Sequence, residues 1–479
     1  MNFRDFLDLA SERLGGSVLY ATDDYFAEKE NLLKPLPAVW KEHEYTDKGK
    51  WMDGWESRRK RVPGYDFAII RLGLPGVIRG VVVDTAFFRG NYPDSCSIEG
   101  TSMRGDASVE ALLAAEWREL LPQSQLQGNS ENLFDIRSTD AITHIRLNIF
   151  PDGGVARLRV HGEVVPDWRL VGGLGNEVDL AAAENGGEVL NCSDMFFGPK
   201  HNLIMPGRAH NMSDGWETKR RRGPGYDWVI VKLATEGRVR RIEADTNHFK
   251  GNYPDTCSID GSADGETWTE ILPRTKMQAH TRHFFIDELL SDGPFTHVRV
   301  NVFPDGGVSR LRVWGVATQN GRRAAAVRRI NTLFHAYEFK KVCGSKEWAI
   351  QMAAARPFAS WEDLLEKAQS IWNALPVDHH LEAFGAHPRI GERKAGWSSQ
   401  EQSGVNAASD ATMTAIADGN RAYEDKFGFV YLVCATGKSA DEMLANLNER
   451  LSHDRETELR IAADEQRKIT ELRLEKMVM

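Results

Sequence analysis

At about 150 residues per domain, a chain of 479 residues has room for three domains. Its composition, 27% charged and 41% hydrophobic, is that of a globular protein with ample core. The net charge of −9 speaks against general nucleic-acid binding, which needs a basic face, but leaves room for local basic clusters that hold small anions.

The N-terminal Met1-Asn2-Phe3-Arg4-Asp5 has an early acid and no apolar core, so no signal peptide is expected. No apolar run approaches the roughly 18 residues of a membrane span, so no membrane partner is expected. Five cysteines without a CxxC spacing predict reduced thiols and a cytoplasmic location.

The first two thirds is a duplication. Asp53-Gly54-Trp55-Glu56, Pro63-Gly64-Tyr65-Asp66 and the stretch Asp84-Thr85-Ala86-Phe87-Phe88-Arg89-Gly90-Asn91-Tyr92-Pro93-Asp94 each recur 161 positions later. Their twins are Asp214-Gly215-Trp216-Glu217, Pro224-Gly225-Tyr226-Asp227 and Asp245-Thr246-Asn247-His248-Phe249-Lys250-Gly251-Asn252-Tyr253-Pro254-Asp255. From His144 to His297 the offset falls to 153, so the second copy has lost about eight residues of an intervening loop. Units of this length are whole domains. Short β-branched runs alternate polar and apolar residues, as in His144–Phe150 and His297–Phe303, and a Pro-Asp-Gly-Gly turn and another strand follow each. Two tandem all-β jelly-roll or β-sandwich domains are predicted, at 1–170 and 171–326.

A duplicated scaffold needs its folding residues twice but a catalytic group once. Phe87 of the first copy is His248 in the second, and Ala86 is Asn247. His248 is therefore the acid/base or metal-ligand candidate, with the usual histidine pKa of about 6.5, although a hydrogen-bonded structural histidine would look the same. Lys250 and Asn252 offer a cation and an amide on a Gly-containing loop, where a packing turn is the plain alternative. Arg58-Arg59-Lys60-Arg61 and Lys219-Arg220-Arg221-Arg222 read either as solvated faces or as anion contacts.

These motifs together resemble the allantoicase family, over residues 10 to 320. The resemblance implies tandem jelly rolls and hydrolysis of allantoate to (S)-ureidoglycolate and urea. An arginine or lysine would clamp the carboxylate, and Asp214, Glu217 and Asn252 could hold the ureido amides. A divalent metal is left open for this half, although no HExxH-type spacing occurs.

From 327 to 479 the periodicity turns helical, and a helical bundle is expected after a short connector at Gly321–Ala326. Ser360 with Asp363 caps a helix that carries Trp361, Leu364, Leu365, Ala368, Trp372 and Leu375 and ends at Pro376. Ser439 with Glu442 opens another, and Glu456–Met477 forms a last amphipathic helix. Phe429–Ala435 reads as a buried apolar helix or strand.

Taken singly, each remaining feature has a plain structural reading. His387 is a loop histidine before Pro388, Ser398-x-x-Glu401 is a capping box, and Arg473 sits on a helix. Together His387-Pro388-Arg389-Ile390-Gly391, Ser398-x-x-Glu401-Gln402, Lys426-Phe427-Gly428-Phe429 and Arg473 resemble the OHCU (2-oxo-4-hydroxy-4-carboxy-5-ureidoimidazoline) decarboxylase family, over 328 to 477. This resemblance implies cofactor-free decarboxylation to (S)-allantoin, with His387 as proton donor assisted by Glu401. Pro388, Ser398, Gln402 and Arg473 would bind substrate, with the backbone of Tyr431, Leu432, Val433, Cys434 and Ala435 against the ring.

The expected partners are small ureido substrates, and the expected assembly is a homo-oligomer. A tandem carbohydrate-binding β-sandwich with a helical interaction module is the alternative, since fold alone does not decide function.

Overall fold

The computed structural model describes residues 2–103, 105–171, 175–387, 410–435 and 438–478. The chain divides into two units, Met1–Arg322 and Arg323–Met479. The first holds both copies of the repeat.

Each copy is built on one strand of nineteen residues that belongs to two layers. In the first copy this switch strand is Asp66–Asp84. Its first part lies between Ser17–Ala21 and Ile142–Phe150, whose far side carries Ser95–Thr101 and then Arg118–Gln125. Its second part lies between Arg157–Val164 and Glu131–Asp135, with Leu7–Asp8 at the edge. The change of partners falls at Leu72-Gly73-Leu74-Pro75-Gly76, where a Cβ on Gly73 would meet the Leu14 carbonyl oxygen at 2.6 Å. A bent strand passing between sheets is how sandwiches make corners. Asp227–Asp245 does the same in the second copy, from Glu188–Cys192 and Phe295–Phe303 to Arg310–Ala317 and Arg282–Phe285. Apolar residues of both layers, among them Ile70, Val81, Ile98, Leu147 and Val160, form one buried cluster in the first copy.

The repeated motifs lock one another. Trp55 and Trp216 are wholly buried, and their indole N–H groups donate to the carbonyls of Asp23 (2.8 Å) and Asp194 (2.9 Å). Phe249 is also wholly buried, and its ring lies where a Cβ on Gly215 or Gly307 would go, at 2.7 and 2.0 Å. Phe88 meets Gly54 and Gly154 in the same way, at 2.7 and 1.9 Å. Gly307 N–H donates to the Asn252 carbonyl at 2.8 Å, and Gly154 N–H to that of Asn91 at 2.7 Å. One aromatic ring thus joins the Asp-Gly-Trp-Glu, Asp-Thr-x-x-Phe and Pro-Asp-Gly-Gly segments.

The copies also touch each other. Arg13 of the first donates to the Asn202 side chain at 2.8 Å and pairs with Asp214 of the second. The region deleted from the second copy is the stretch between Thr101 and Arg118, where the first copy has a short helix, Val109–Leu113; the second crosses directly from Ser262 to Thr269.

In the second unit the expected caps form. The Ser360 hydroxyl accepts from Asp363 N–H at 3.2 Å, and Ser439 and Glu442 make a capping box. The helices Trp361–Ala374, Ala440–Arg450 and Arg455–Glu475 pack around buried Phe339, Trp348, Trp372 and Phe384. Two expectations change. Gly321–Ala326 lies within the helix Gln319–Leu333, because its Arg and Ala residues are strong helix formers. Phe429–Ala435 is neither helix nor strand, and side chains, not a backbone ladder, hold it in place. No helix among the described residues is long and apolar enough to cross a membrane.

Replacing Gly307 with Ala drives a methyl into the Phe249 ring. We expect a loss of about 1–3 kcal/mol in urea denaturation, as for other overpacked cores; unchanged stability would mean the ring does not fix the turn.

His201 lies against Asp5 of the first copy, and burial, helped by Lys200, lowers its pKa to about 4. The unfolded histidine titrates near 6.5, so the unfolded chain binds more protons between pH 6.5 and 4, and stability falls as pH falls through that window. In His201→Gln this part of the acid sensitivity should vanish. Parallel melting-temperature profiles of variant and wild type from pH 7 to 4 would contradict this.

Candidate active sites

The second copy places His248 in a left-handed turn, φ 71°, directly after the switch strand. A non-glycine residue rarely adopts this conformation, and doing so has a conformational cost. Phe87 takes the same conformation, φ 68°, so the turn belongs to the scaffold and its side chain differs between the copies. His248 Nε2 lies 2.9 Å from the Ala209 carbonyl, and because a carbonyl only accepts, Nε2 carries the hydrogen. Its backbone N–H donates to His280 Nδ1 at 2.8 Å, which puts the hydrogen of a neutral His280 on Nε2. The two rings meet edge to face at 5.7 Å. In the first copy Asn129 stands in for His280, accepting the Phe87 N–H at 2.8 Å, and the Phe87 ring packs on Trp40.

Glu217 is 8% exposed, and Asn252 donates to its carboxylate. Burial raises the Glu217 carboxyl pKa, outweighing that hydrogen bond. Asn252 also contacts the Met212 sulfur at 3.3 Å. The first copy repeats the pair, with Asn91 donating to Glu56 at 2.7 Å. Asp214 is buried and occupied: Arg310 donates to it at 3.1 Å, the His210 N–H at 3.0 Å, and Arg13 pairs with it. Asp53 and Arg157 make the corresponding pair in the first copy, at 2.8 Å. Lys250 is exposed, and among the described residues it has no hydrogen-bond or ion-pair partner.

The basic runs are partly internal. Lys60 reaches Asp66 at 2.8 Å, and Arg221, its counterpart, pairs with Asp227. A cavity of about 440 Å³ opens beside the His248 turn, with Arg208, Asp179 and Asp245 in its wall. Burial pushes the Asp179 carboxyl up to about 6, against the pull of Arg312. Among the described residues no group of three His, Cys, Asp or Glu side chains is arranged to hold a metal ion.

In the second unit His387 closes the helix Val377–Gly385, its N–H donating to the Phe384 carbonyl at 3.1 Å. The Phe384 ring lies 5.5 Å from that of Phe429, at the start of the irregular segment. Tyr431, Leu432, Val433 and Ala435 are buried there. The Leu432 carbonyl accepts from Arg450 at 2.6 Å, and the Cys434 N–H donates to Glu465 at 2.6 Å. Arg473 is buried and donates to the Val342 carbonyl at 3.0 Å. Pro388, Ser398, Glu401 and Gln402 lie outside the described residues.

The support behind this segment leaves little trace in the sequence. Arg450 and Glu458, 3% and 0% exposed, pair at 2.9 Å; Tyr423 adds its hydroxyl and His453 its Nδ1 at 2.7 Å. Burial alone would raise the Glu458 carboxyl, but the hydrogen bonds from Arg450, Tyr423 and His453 hold it below its usual value. Only an arginine and an acid eight positions apart in a helical region hinted at it, a spacing common on solvated faces.

Comparison with known proteins follows these boundaries. The allantoicase repeat model matches residues 7–165 and 178–318, and the OHCU decarboxylase model matches 333–475. The probable allantoicase of Pseudomonas fluorescens (strain SBW25) is 53% identical over 324 residues, covering 65% of this chain and 97% of the relative. The crystal structure of the Saccharomyces cerevisiae allantoicase is 36% identical with a TM-score of 0.56, covering 64% of this chain and 92% of that one. An OHCU decarboxylase crystallised with (S)-allantoin is 41% identical over 29% of this chain and 96% of its own, with a TM-score of 0.28. The chain belongs to the allantoicase family over its tandem β-domains and continues into an OHCU decarboxylase domain, and so unites two enzymes of purine breakdown.

Proposed function

We propose that allantoate is hydrolysed at the second copy, with His248 as the proton-transferring group. The observation that carries this is the His248–His280 pair of the second copy, where the first copy has Phe87 on Trp40, although both copies hold the Glu–Asn pair. Allantoate carries two ureido groups and a carboxylate on one carbon. Urea leaves when its nitrogen is protonated and the lone pair of the remaining ureido nitrogen assists; water then adds to that carbon and gives up a proton. With Nε2–H held by Ala209, His248 exchanges protons at Nδ1. Glu217 and Asn252 offer an acceptor and a donor for ureido groups, and Asp214 anchors the segment that carries Glu217. A divalent metal stays outside this reading of the chemistry.

For the helical domain, the reading is decarboxylation of OHCU to (S)-allantoin without a cofactor. The electron pair left by CO2 passes to the adjacent ring imine, and a proton returns to one face of the carbon. His387 is the proposed donor, with Glu401 assisting and Pro388, Ser398, Gln402 and Arg473 binding substrate. The buried Tyr431–Ala435 segment, fixed by Arg450 and Glu465, supports a rigid wall against the ring. The free thiols of Cys96, Cys192, Cys257 and Cys343 support a reducing, cytoplasmic setting, and exposed Met195, Phe196 and Phe197 support self-association.

His248→Ala should lower urea release from allantoate by about 10²- to 10⁴-fold, the usual worth of a general acid, while OHCU decay stays accelerated. Full hydrolysis in that variant would remove His248 from the reaction. Conversely, His387→Ala should abolish enantioselective OHCU decarboxylation, followed by circular dichroism of the allantoin formed, and leave urea release intact. Turnover at the wild-type rate would exclude His387 as the donor.

A further inference from the structure

The cavity beside the His248 turn holds charges that the proposed chemistry leaves unused. Its 440 Å³ falls within the roughly 300–1,000 Å³ of small-molecule sites. Two of its ion pairs are satisfied internally: Arg282 with Glu243 at 2.6 Å, and Arg312 with Asp179 at 3.4 Å. Arg208 is not: among the described residues it makes no hydrogen bond or ion pair, and it acts on Asp245 only through its field. Glu184 Oε2 is buried without a hydrogen-bond partner. Asp245 receives the Asn247 N–H at 2.7 Å on one oxygen.

An uncommitted guanidinium suits a carboxylate, which it can grip with two parallel hydrogen bonds. Unfilled carboxylate oxygens a short way off suit N–H donors. A ligand meeting both needs is a small acid that carries urea-type nitrogen on the neighbouring carbon. The first copy lacks this combination. Its corresponding cavity, about 360 Å³, has Arg13 in the place of Glu184, and the chain has Pro37 in the place of Arg208. Arg13 is moreover committed to Asp214 and Asn202.

We propose that this cavity binds α-ureido carboxylates, with Arg208 taking the carboxylate and Glu184 and Asp245 the ureido N–H groups. Arg208 adjoins Ala209, whose carbonyl holds His248, and Asp245 precedes His248 by three residues. The inference rests on allantoate hydrolysis in the second copy and makes the cavity the recognition half of that centre.

The probe is N-carbamoylglycine, a non-hydrolysed α-ureido carboxylate, titrated calorimetrically into the full chain, with acetate and methylurea as ligands that each lack one group. The wild type should bind N-carbamoylglycine and neither fragment appreciably. Arg208→Gln and Glu184→Gln should each weaken binding about ten- to a hundredfold, the worth of a hydrogen bond to a charged group, and raise the KM for allantoate more than they lower kcat. Arg4→Gln, in the first copy's cavity, should bind as wild type does. Loss of the β-domain's thermal unfolding transition in a variant would mark a misfolded preparation, to be replaced by Arg208→Lys, which keeps charge but not the fork and should still bind more weakly. No binding to the wild type, or equal binding by Arg208→Gln and Glu184→Gln, overturns the inference. Failure of the wild type to release urea from allantoate would instead sink the hydrolase reading, and the calorimetry would still decide whether the cavity takes this class of ligand.

Discussion

The tandem domains depend on an aromatic ring seated on two glycines. Phe249 occupies space that a side chain at Gly215 or Gly307 would need, and Phe88 repeats the arrangement. Close packing of this kind tolerates no added methyl without displacement. It explains why three separated segments recur together, since each supplies one face of the same contact. It also sets the turn that carries position 248, because the residue before the ring is forced into a left-handed backbone whether it is phenylalanine or histidine. The scaffold thus sets the same backbone turn in both copies and fills it with phenylalanine in one and histidine in the other.

The β-architecture was legible because its signals are local. Alternation in His144–Phe150 and His297–Phe303 marks half-buried strands, and both are strands. The comparison of copies singled out His248 from one position. It could not tell that the Glu217–Asn252 pair is duplicated as Glu56–Asn91, or that Asp214 joins the copies, because these depend on partners more than thirty positions away. The charged cavity was invisible for the same reason: Arg208 and Glu184 have no shared motif and meet only through the fold.

In the helical domain, capping signals located helices well, since Ser360 and Ser439 act on neighbours three residues on. The conformation of Phe429–Ala435 was not legible because an apolar run of that length carries no period to distinguish helix, strand or irregular backbone. Its shape is set by Arg450 and Glu465 from two later helices. Arg450 and Glu458 are buried and bonded to each other and to Tyr423, so removal of either partner alone would leave an uncompensated buried charge.

The reach of Arg13 into the second copy bears on how the duplication can change over time. The first copy has no histidine at the outward position, yet its guanidinium closes on the aspartate that steadies the loop bearing Glu217. Excising residues 1–170 would strip a buried carboxylate of one of its two cations. Whatever chemistry the first copy carries, it is a brace for its neighbour, and a single β-domain cut from this chain would need a new counter-charge beside Asp214.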